Sequence, residues 1–165
     1  MRILAVVLLL AFVVPAVARA DWGPPRALSP AGREAFVAGL AVDGRDRPAA
    51  LVEMRRHGGG WSLQLRRSGT HDRLDAPVEI AATHNQIEGA GLFGGRGSDL
   101  VAGWLEIVNG SRRPVVATGP RLEDRQVLAP GPRSTQVMRI AADRRGDAVV
   151  AFWRYEANVY SISAS

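Results

Sequence analysis

Among the residues of this chain, the aspartates at predicted turn positions are the ones that most resemble the ligands of a cation site. Asp43, Asp143 and Asp147 each stand beside a Gly or an Arg, between two apolar runs. Calcium needs several oxygen ligands at close spacing, and these segments supply few. An Asp in such a place also accepts backbone N–H bonds of its own turn. We therefore favour a structural role for the three aspartates, with calcium binding as the alternative.

Nucleophiles and general acids or bases are scarce. His57, His71 and His84 lack the short spacing of a metal site. Cysteine is absent, which excludes a thiolate site, a disulfide and a cysteine nucleophile. The paired carboxylates Glu123-Asp124 fall between apolar runs, as solvated loops do. No G-x-S-x-G, Walker or H-E-x-x-H motif occurs, so we predict no catalytic residue, no metal and no cofactor.

Trp61, Arg55 and Arg144 are the residues that we single out for ligand contact. Trp61 follows a run of three glycines and could stack on a sugar, although packing in the core is the interpretation we favour. Arginine pairs flank several predicted turns and could meet an anionic polymer, but dispersed solubilising charge is the simpler interpretation. These pairs lie at 55–56, 66–67, 112–113 and 144–145.

Three copies of one marker divide the chain into units. The marker is an apolar residue, two others, a proline, two others and a second apolar residue. It occurs at Trp22–Leu28, at Leu74–Ile80 and, with Arg125 in place of proline, at Leu122–Leu128. The spacings of 52 and 48 residues indicate a repeat of one supersecondary unit. The predicted units are 22–73, 74–121 and 122–165.

Two further markers recur inside the units. Leu40–Arg45 matches Ile140–Arg145 at an offset of two units, and the middle copy is degenerate. Leu100–Trp104 matches Val149–Trp153 at an offset of 49 residues. This second match puts two tryptophans at one position, which argues that both belong to the core.

Each unit contains four short apolar runs separated by Gly, Pro, Asn and Asp, the pattern of strands joined by tight turns. Asn109-Gly110 favours a type I′ hairpin, because both residues accept a positive φ. Asp143 and Gly146 favour a type I turn with a bulge. The predicted strands are 26–29, 36–43, 48–55 and 60–66 in the first unit, 77–81, 86–93, 99–107 and 113–118 in the second, and 126–129, 136–142, 147–155 and 159–164 in the third.

The third strand of each unit is apolar on both faces, so it must be covered on both sides. Stacked sheets provide this cover, as the blades of a β-propeller do. We therefore predict an all-β fold of three repeated four-stranded antiparallel sheets, propeller-like but with an incomplete ring. Known propellers have about four to eight blades. The expected assemblies are therefore a homo-oligomer that completes a ring, an open array, or a piece of a longer gene product.

The segment Ile140–Ala164 resembles the repeat unit of secreted actinobacterial β-propeller-like proteins, whose pattern is VAVDxxGNAVAVWxRxDGxxxxIxAA after W-x-x-P-x-x-L. The resemblance extends over the mature chain and is strongest in the third unit. It implies a propeller-like fold and export from a bacterial cell, and it implies no activity. The Asp-box of sialidase-like propellers, S-x-D-x-G-x-T-W, differs, since its Ser and Thr are missing here.

The first twenty residues have the form of a signal peptide. Arg2 supplies a positive charge, Ile3–Val14 is an apolar run too short to span a bilayer, and Ala18-Arg19-Ala20 is a cleavage signal. We place the cut after Ala20, which leaves residues 21–165 as a β-repeat domain outside the cell or in its envelope. An uncleaved membrane anchor is the alternative. No second long apolar segment follows, so we expect no stable membrane insertion after cleavage.

All basic residues are arginines, 21 against 16 acidic residues, for a formal net charge of +5. The charge is spread along the chain, whereas a nucleic-acid-binding protein concentrates it in a patch.

The leading interpretation is a non-enzymatic extracellular scaffold or binding module for a protein or a glycan. One alternative is a fragment of a sialidase-like propeller glycosidase, which needs three arginines and a carboxylate in one cleft near Asp43 or Asp143. The other is a truncated product without activity.

Overall fold

The computed structural model of the protein describes residues 25–69, 73–128, 135–143, 145–156 and 159–164. Within these ranges the chain forms 11 strands and no helix, which confirms the predicted all-β class. The strands are β1 (Ala35–Val42), β2 (Pro48–Arg55), β3 (Trp61–Arg67), β4 (Val78–Thr83), β5 (Glu88–Gly94), β6 (Leu100–Val108), β7 (Ser111–Gly119), β8 (Asp124–Val127), β9 (Thr135–Ala142), β10 (Ala148–Glu156) and β11 (Val159–Ala164).

The leader is not part of this description. The predicted signal peptide, residues 1–20, lies outside the described residues. Within the described ranges, no helix has the length and apolar character needed to cross a membrane. Export of the chain therefore stays a prediction from its sequence.

The strands form three antiparallel sheets. Sheet 1 has the order β1-β2-β3-β4, sheet 2 the order β5-β6-β7-β8, and sheet 3 the order β9-β10-β11. Neighbours in the sequence are neighbours in each sheet, so every sheet is a meander of hairpins. The Gly, Asn and Asp residues between the apolar runs supply the turns that such hairpins need.

The strand assignment from the sequence is wrong at the sheet boundaries. Residues 26–29 form no strand, and sheet 3 has three described strands where four were predicted. The segments predicted at 77–81 and 126–129 become β4 and β8, the outer strands of sheets 1 and 2. The proline marker therefore ends a sheet rather than opening one. Pro77 of the second copy directly precedes Val78, the first residue of β4, so its missing N–H lies outside the paired strand.

The predicted turns have the expected backbone. Asn109 and Gly110 have φ angles of 51° and 77°, the positive values of a type I′ hairpin. In the β9–β10 turn, the N–H of Gly146, whose φ is 92°, donates to the carbonyl of Asp143 at 3.1 Å. The Asp143 carboxylate accepts two further N–H bonds from the same turn.

One hydrogen bond recurs in the turn between the first two strands of every sheet. The N–H of the first turn residue donates to the carbonyl four residues later. These first residues are Asp43, Gly95 and Asp143. Counted from these turns, sheet 3 follows sheet 2 at 48 residues, so the counterpart of Trp104 is Phe152. The offset of 49 that aligned Trp153 with Trp104 is therefore wrong by one residue. The slip went unnoticed because neighbouring positions of both strands are apolar.

The core lies between the sheets in two clusters. Odd and even residues of β6 point to different clusters, so sheet 2 is covered on both faces. Between sheets 1 and 2 the buried side chains include Leu51, Leu63, Leu65, Leu92, Leu100, Trp104 and Val115. Between sheets 2 and 3 they are Val101, Leu105, Val116, Met138, Val150 and Phe152.

Sheets 1 and 2 approach closely along β1 and β5, where glycines take the place of larger residues. A Cβ atom on Gly39 would lie 2.7 Å from the backbone nitrogen of Leu92. A Cβ atom on Gly94 would lie 1.9 Å from the carbonyl oxygen of Val42. Both positions therefore exclude a larger residue unless the sheets move apart. Gly91 differs, because a Cβ atom there makes ordinary contacts at 3.4 Å.

Gly94→Ala tests whether this contact sets the distance between the two sheets. We expect the variant to lower the free energy of unfolding by about 2–3 kcal/mol, because the new methyl group meets backbone that cannot rotate away. Gly91→Ala, on the same strand, is the matched control and should cost less than about 1 kcal/mol. Equal losses in urea unfolding would contradict the assignment.

Candidate functional site

A cleft opens between sheets 1 and 2 at the end that carries the β1–β2 turn. Its volume is about 770 Å³. The walls come from the β1–β2 turn, the end of β3 with the connection to β4, the β5–β6 turn and the β7–β8 turn. Loops presented by a rigid sheet scaffold are common places for binding residues. The charged residues of the lining are Arg45, Arg47, Arg67, Arg121, Asp75 and Glu123.

Asp43, which is 3 % exposed, lies beneath these arginines and binds two of them. Its Oδ1 accepts the backbone N–H groups of Arg45 at 2.9 Å and Arg47 at 3.0 Å. Its Oδ2 accepts the Nε–H of Arg47 at 3.0 Å and forms an ion pair with Arg67. Charge-assisted bonds of this kind are strong and directional. The buried carboxylate therefore fixes the positions of Arg47 and Arg67.

The pKa of Asp43 reflects two opposing effects. Burial alone would raise it, because a charged carboxylate loses its hydration. The N–H bonds from Arg47 and Arg45 and the Arg47 side chain outweigh burial, so the pKa of Asp43 is lowered from its usual value of 3.8. A lowered pKa in the folded state means that the charged form stabilises the fold at neutral pH. That contribution is lost as the pH falls below 3.8 and through the folded-state pKa.

Arg67, the last residue of β3, joins sheet 1 to two turns of sheet 2. Its guanidinium donates to Asp43, to the carbonyl of Pro120 and to the carbonyl of Ser98, the last at 2.8 Å. Ser98 belongs to the β5–β6 turn and Pro120 to the β7–β8 turn. The buried Nε of Arg67 has no acceptor among the described residues. Such a donor is uncommon in folded proteins, and an added acceptor would be favourable there.

Arg45 and Arg121 supply guanidinium groups that remain open to solvent. Both residues are exposed, and neither side chain bonds to a residue in the described ranges. Arg121 is presented by a strained turn, because the buried Leu122 has a φ of 59°, which is costly for leucine. Glu123 supports the same turn by accepting the N–H of Arg121 at 2.7 Å. Strain that buried anchors maintain is often found at functional loops.

The cleft thus sets four guanidinium groups against the carboxylates of Asp75 and Glu123, with Asp43 neutralising part of the positive charge from below. Guanidinium groups bind carboxylates, sulfates and phosphates through paired N–H donors. None of the described residues that line the cleft is aromatic. The groups that these residues offer to a ligand are charges and hydrogen-bond donors and acceptors.

The aspartate turns perform the structural role that the sequence favoured. Both oxygens of Asp43 are used by the turn and by the arginines. The Asp143 carboxylate accepts N–H bonds of its own turn at 2.7 and 3.1 Å. No group of three or more metal-binding side chains occurs in the part of the chain that the structure describes.

The residues singled out for ligand contact do not line the cleft. Trp61 is 7 % exposed and packs against Phe36, with the ring centroids 5.8 Å apart, so the favoured core role is confirmed. The Arg55 guanidinium lies over the Trp61 ring at 5.6 Å and pairs with Glu34 at 3.7 Å. Trp61 and Arg55 therefore pack together at the end of sheet 1 opposite the cleft. Arg144 lies outside the described residues.

Sequence analysis missed the arginines of the cleft. It noted Arg67 only as part of a dispersed pair and gave no binding role to Arg45, Arg47 or Arg121. These residues spread over 76 positions of the chain, so no local motif unites them. The available signal was the segment Asp43–Arg47, in which aspartates alternate with arginines at a tight turn. A carboxylate placed between guanidinium groups is a common way to orient them.

A second buried carboxylate lies at the opposite end of sheet 1. Glu53 is 5 % exposed, and its Oε1 accepts the N–H of Ile87 at 2.6 Å. Burial raises the pKa of Glu53 from its usual value of 4.5, and the hydrogen bonds from Ile87 and Gln86 only partly offset the lost hydration. Because Ile87 directly precedes β5, this bond ties sheet 1 to the start of sheet 2.

Asp43→Asn leaves Arg67 buried without a charged partner. We expect the free energy of unfolding, measured in urea at neutral pH, to fall by about 3–5 kcal/mol. Asp143→Asn is the matched control, because Asp143 holds the same kind of turn at the surface, and a loss of about 1 kcal/mol is expected there. Similar losses in both variants would show that the turn, and not the buried ion pair, is what Asp43 stabilises.

Glu53→Gln tests the second carboxylate through the pH dependence of stability. The folded-state pKa of Glu53 lies above its unfolded value, so its contribution is full below pH 4.5 and is lost as the pH rises through the folded-state pKa. An amide does not ionise, so the variant should gain stability relative to the wild type across this rise. The control is Glu79→Gln, at an exposed position of the same sheet. A constant difference between wild type and Glu53→Gln at all pH values would refute the expectation.

Comparisons with models of protein families, with curated proteins and with solved structures find no match to this chain. The resemblance to secreted actinobacterial β-propeller-like proteins therefore rests on the sequence patterns alone. What the cleft can bind follows from its own geometry and charge.

Proposed function

We propose that this protein is an extracellular β-propeller-like repeat scaffold that binds an anionic ligand in the cleft between sheets 1 and 2. The observation that carries the proposal is the convergence of four arginines on one cleft of about 770 Å³. Arg45 and Arg121 come from turns of different sheets, so a ligand that spans the cleft meets charge from both sides.

The composition of the lining favours an acidic glycan over a protein partner. Protein–protein contacts usually centre on aromatic or large apolar anchors. The described residues of the lining include no aromatic side chain, and Leu65 among them is only 1 % exposed. Single-stranded nucleic acids also bind through aromatic stacking, which these described residues do not offer. A polysaccharide that carries carboxylates or sulfates requires only the donors that Arg45 and Arg121 hold free.

The scaffold part of the proposal is supported by the arrangement of the sheets. The three sheets are meanders in which the strand order is the same, and the turn between their first two strands closes with the same hydrogen bond. Sheet 2 is buried on both faces between its neighbours, as a propeller blade is. The extracellular location is supported by the signal-peptide pattern of residues 1–20.

One observation favours a second candidate, a sialidase-like propeller glycosidase. The sequence analysis required three arginines and a carboxylate in one cleft near Asp43, and the cleft holds Arg45, Arg47, Arg67 and Arg121 with Asp75 and Glu123. Sialidases use a tyrosine nucleophile in place of the second carboxylate that most glycosidases need. None of the described residues that line the cleft is a tyrosine, and Glu123 is already engaged with its own turn, so the binding module is the preferred function.

Binding of polygalacturonate, a polymer of carboxylated sugars, tests the proposed function. We expect the purified protein to bind it at low salt and to ignore neutral dextran, with weaker binding as ionic strength screens the charges. Replacing both open arginines, Arg45→Gln with Arg121→Gln, should weaken binding by about tenfold or more. Calorimetry or surface plasmon resonance measures this change.

The matched control removes the same charge elsewhere. Arg56→Gln with Arg145→Gln changes two exposed arginines that do not line the cleft. If the control loses as much affinity as the cleft variant, binding is non-specific and the cleft proposal fails. Release of fluorophore from a sialic acid or uronic acid glycoside, abolished in the cleft variant, would instead establish the glycosidase.

A further inference from the structure

The two ends of the stack of sheets present apolar residues to solvent. On the outer face of sheet 1, the β1 residues Val37, Leu40 and Val42 are 54 %, 69 % and 55 % exposed. On the outer face of sheet 3, Val149 is 60 % exposed. The β2 residues of the first face, such as Val52, are already buried, so the open part is the β1 stripe. Isolated apolar residues are normal on a surface, whereas a row along one strand calls for a partner.

In sheet 2, the positions equivalent to these exposed residues are buried against a neighbouring sheet. The hydrogen-bond registers make Leu40 equivalent to Leu92 of sheet 2, because each lies three residues before its turn and pairs with the third residue of the next strand. Leu92 is 4 % exposed, since it packs against sheet 1. By the same count Val149 is equivalent to Val101, which is 2 % exposed between sheets 2 and 3.

The outer edge of sheet 3 is open at the position that β4 and β8 occupy in the other two sheets. Among the described strands, β11 pairs with β10 alone. β4 begins inside the second copy of the proline marker, and β8 lies within the third copy. The described part of the first copy, residues 25–28, joins no strand, and Pro25, Arg26 and Ala27 are exposed. Within the described residues, β11 therefore has one unpaired edge, and residues 25–28 pair with no strand.

We propose that a second copy of this chain binds head to tail, with its sheet 1 on the outer face of sheet 3 and its residues 25–28 beside β11. The exposed β1 stripe of one copy then meets the face of Val149 in the other, and residues 25–28 supply a fourth strand beside β11. Backbone hydrogen bonds to an open sheet edge are a general mode of association. The contact is heterologous, because the two faces that meet are different.

The number of sheets sets the number of copies. Two copies supply six sheets and two identical junctions, which is within the range of about four to eight blades that closed propellers use. Three copies would exceed that range. Arg139 stands on sheet 3 at the position of Gly39 and Gly91, so its aliphatic stem would lie against the neighbouring Leu40. The junction between copies is therefore expected to be wider than those within a chain.

Three single variants and a measurement of molar mass in solution test the proposal. Light scattering of the wild type should give twice the mass of one chain. Leu40→Glu and Val149→Glu each place a charge in both junctions and should raise the dimer Kd at least about tenfold. Gln126→Glu, on the exposed outer strand of sheet 2, is the matched control and should leave the dimer intact. Because Leu40, Val149 and Gln126 are exposed, none of the changes disturbs the core, and circular dichroism verifies the fold.

Mixing the two interface variants distinguishes this contact from a symmetric one. Leu40→Glu retains an intact sheet 3 face and Val149→Glu an intact sheet 1 face, so together they can form one wild-type junction. A heterodimer should therefore appear in the mixture under conditions where each variant alone is monomeric. A monomeric wild type, or a dimer broken by Leu40→Glu but not by Val149→Glu, would overturn the proposal. The ligand cleft lies within one copy, so loss of the dimer and loss of polygalacturonate binding are separate outcomes.

Discussion

At Gly94 the backbone of β5 lies so close to β1 that a Cβ atom would stand 1.9 Å from the carbonyl oxygen of Val42. This absence of side chains lets two sheets meet backbone to backbone along their first strands. The later strands of the sheets cannot approach as closely, because Leu51, Leu65 and Trp104 fill the space between them. The close backbone contact of β1 with β5, together with the side-chain core between the later strands, fixes the relative position of sheets 1 and 2. The cleft opens where this core ends.

The buried Asp43–Arg67 pair follows from this geometry. Hydrophobic side chains would fill the same volume without the free-energy cost of dehydrating two charges, so the stability of the fold alone does not explain a buried ion pair there. The pair joins three turns from two sheets, and Asp43 fixes Arg67 and Arg47 in the wall of the cleft while Arg45 and Arg121 stay free. Its main physical consequence is a fixed arrangement of positive charge. An anionic ligand then meets donors that need little reordering, which favours affinity.

The sequence predicted the strands well and their grouping less well. Alternation, Asn109-Gly110 and the Asp143 turn located all 11 observed strands to within a few residues, because these are local preferences of backbone and side chain. The alignment of Trp153 with Trp104 failed by one residue, since β6 and β10 are apolar at successive positions and give no sign of register. The proline marker was assigned to the wrong sheet, because hydrogen bonding of an outer strand to its neighbour is not encoded in the marker itself.

The sequence by itself determined the all-β class and the turn positions, since each depends on residues within a few positions of one another. Only the tertiary structure determines that a cleft forms and which residues line it. Arg45, Arg67 and Arg121 are distant in the chain and have no motif in common. They meet because the sheets stack with their turns at one end, and the buried Asp43 orients the guanidinium groups of Arg67 and of Arg47 toward the same space. Long-range packing creates such a site, and local sequence patterns do not record it.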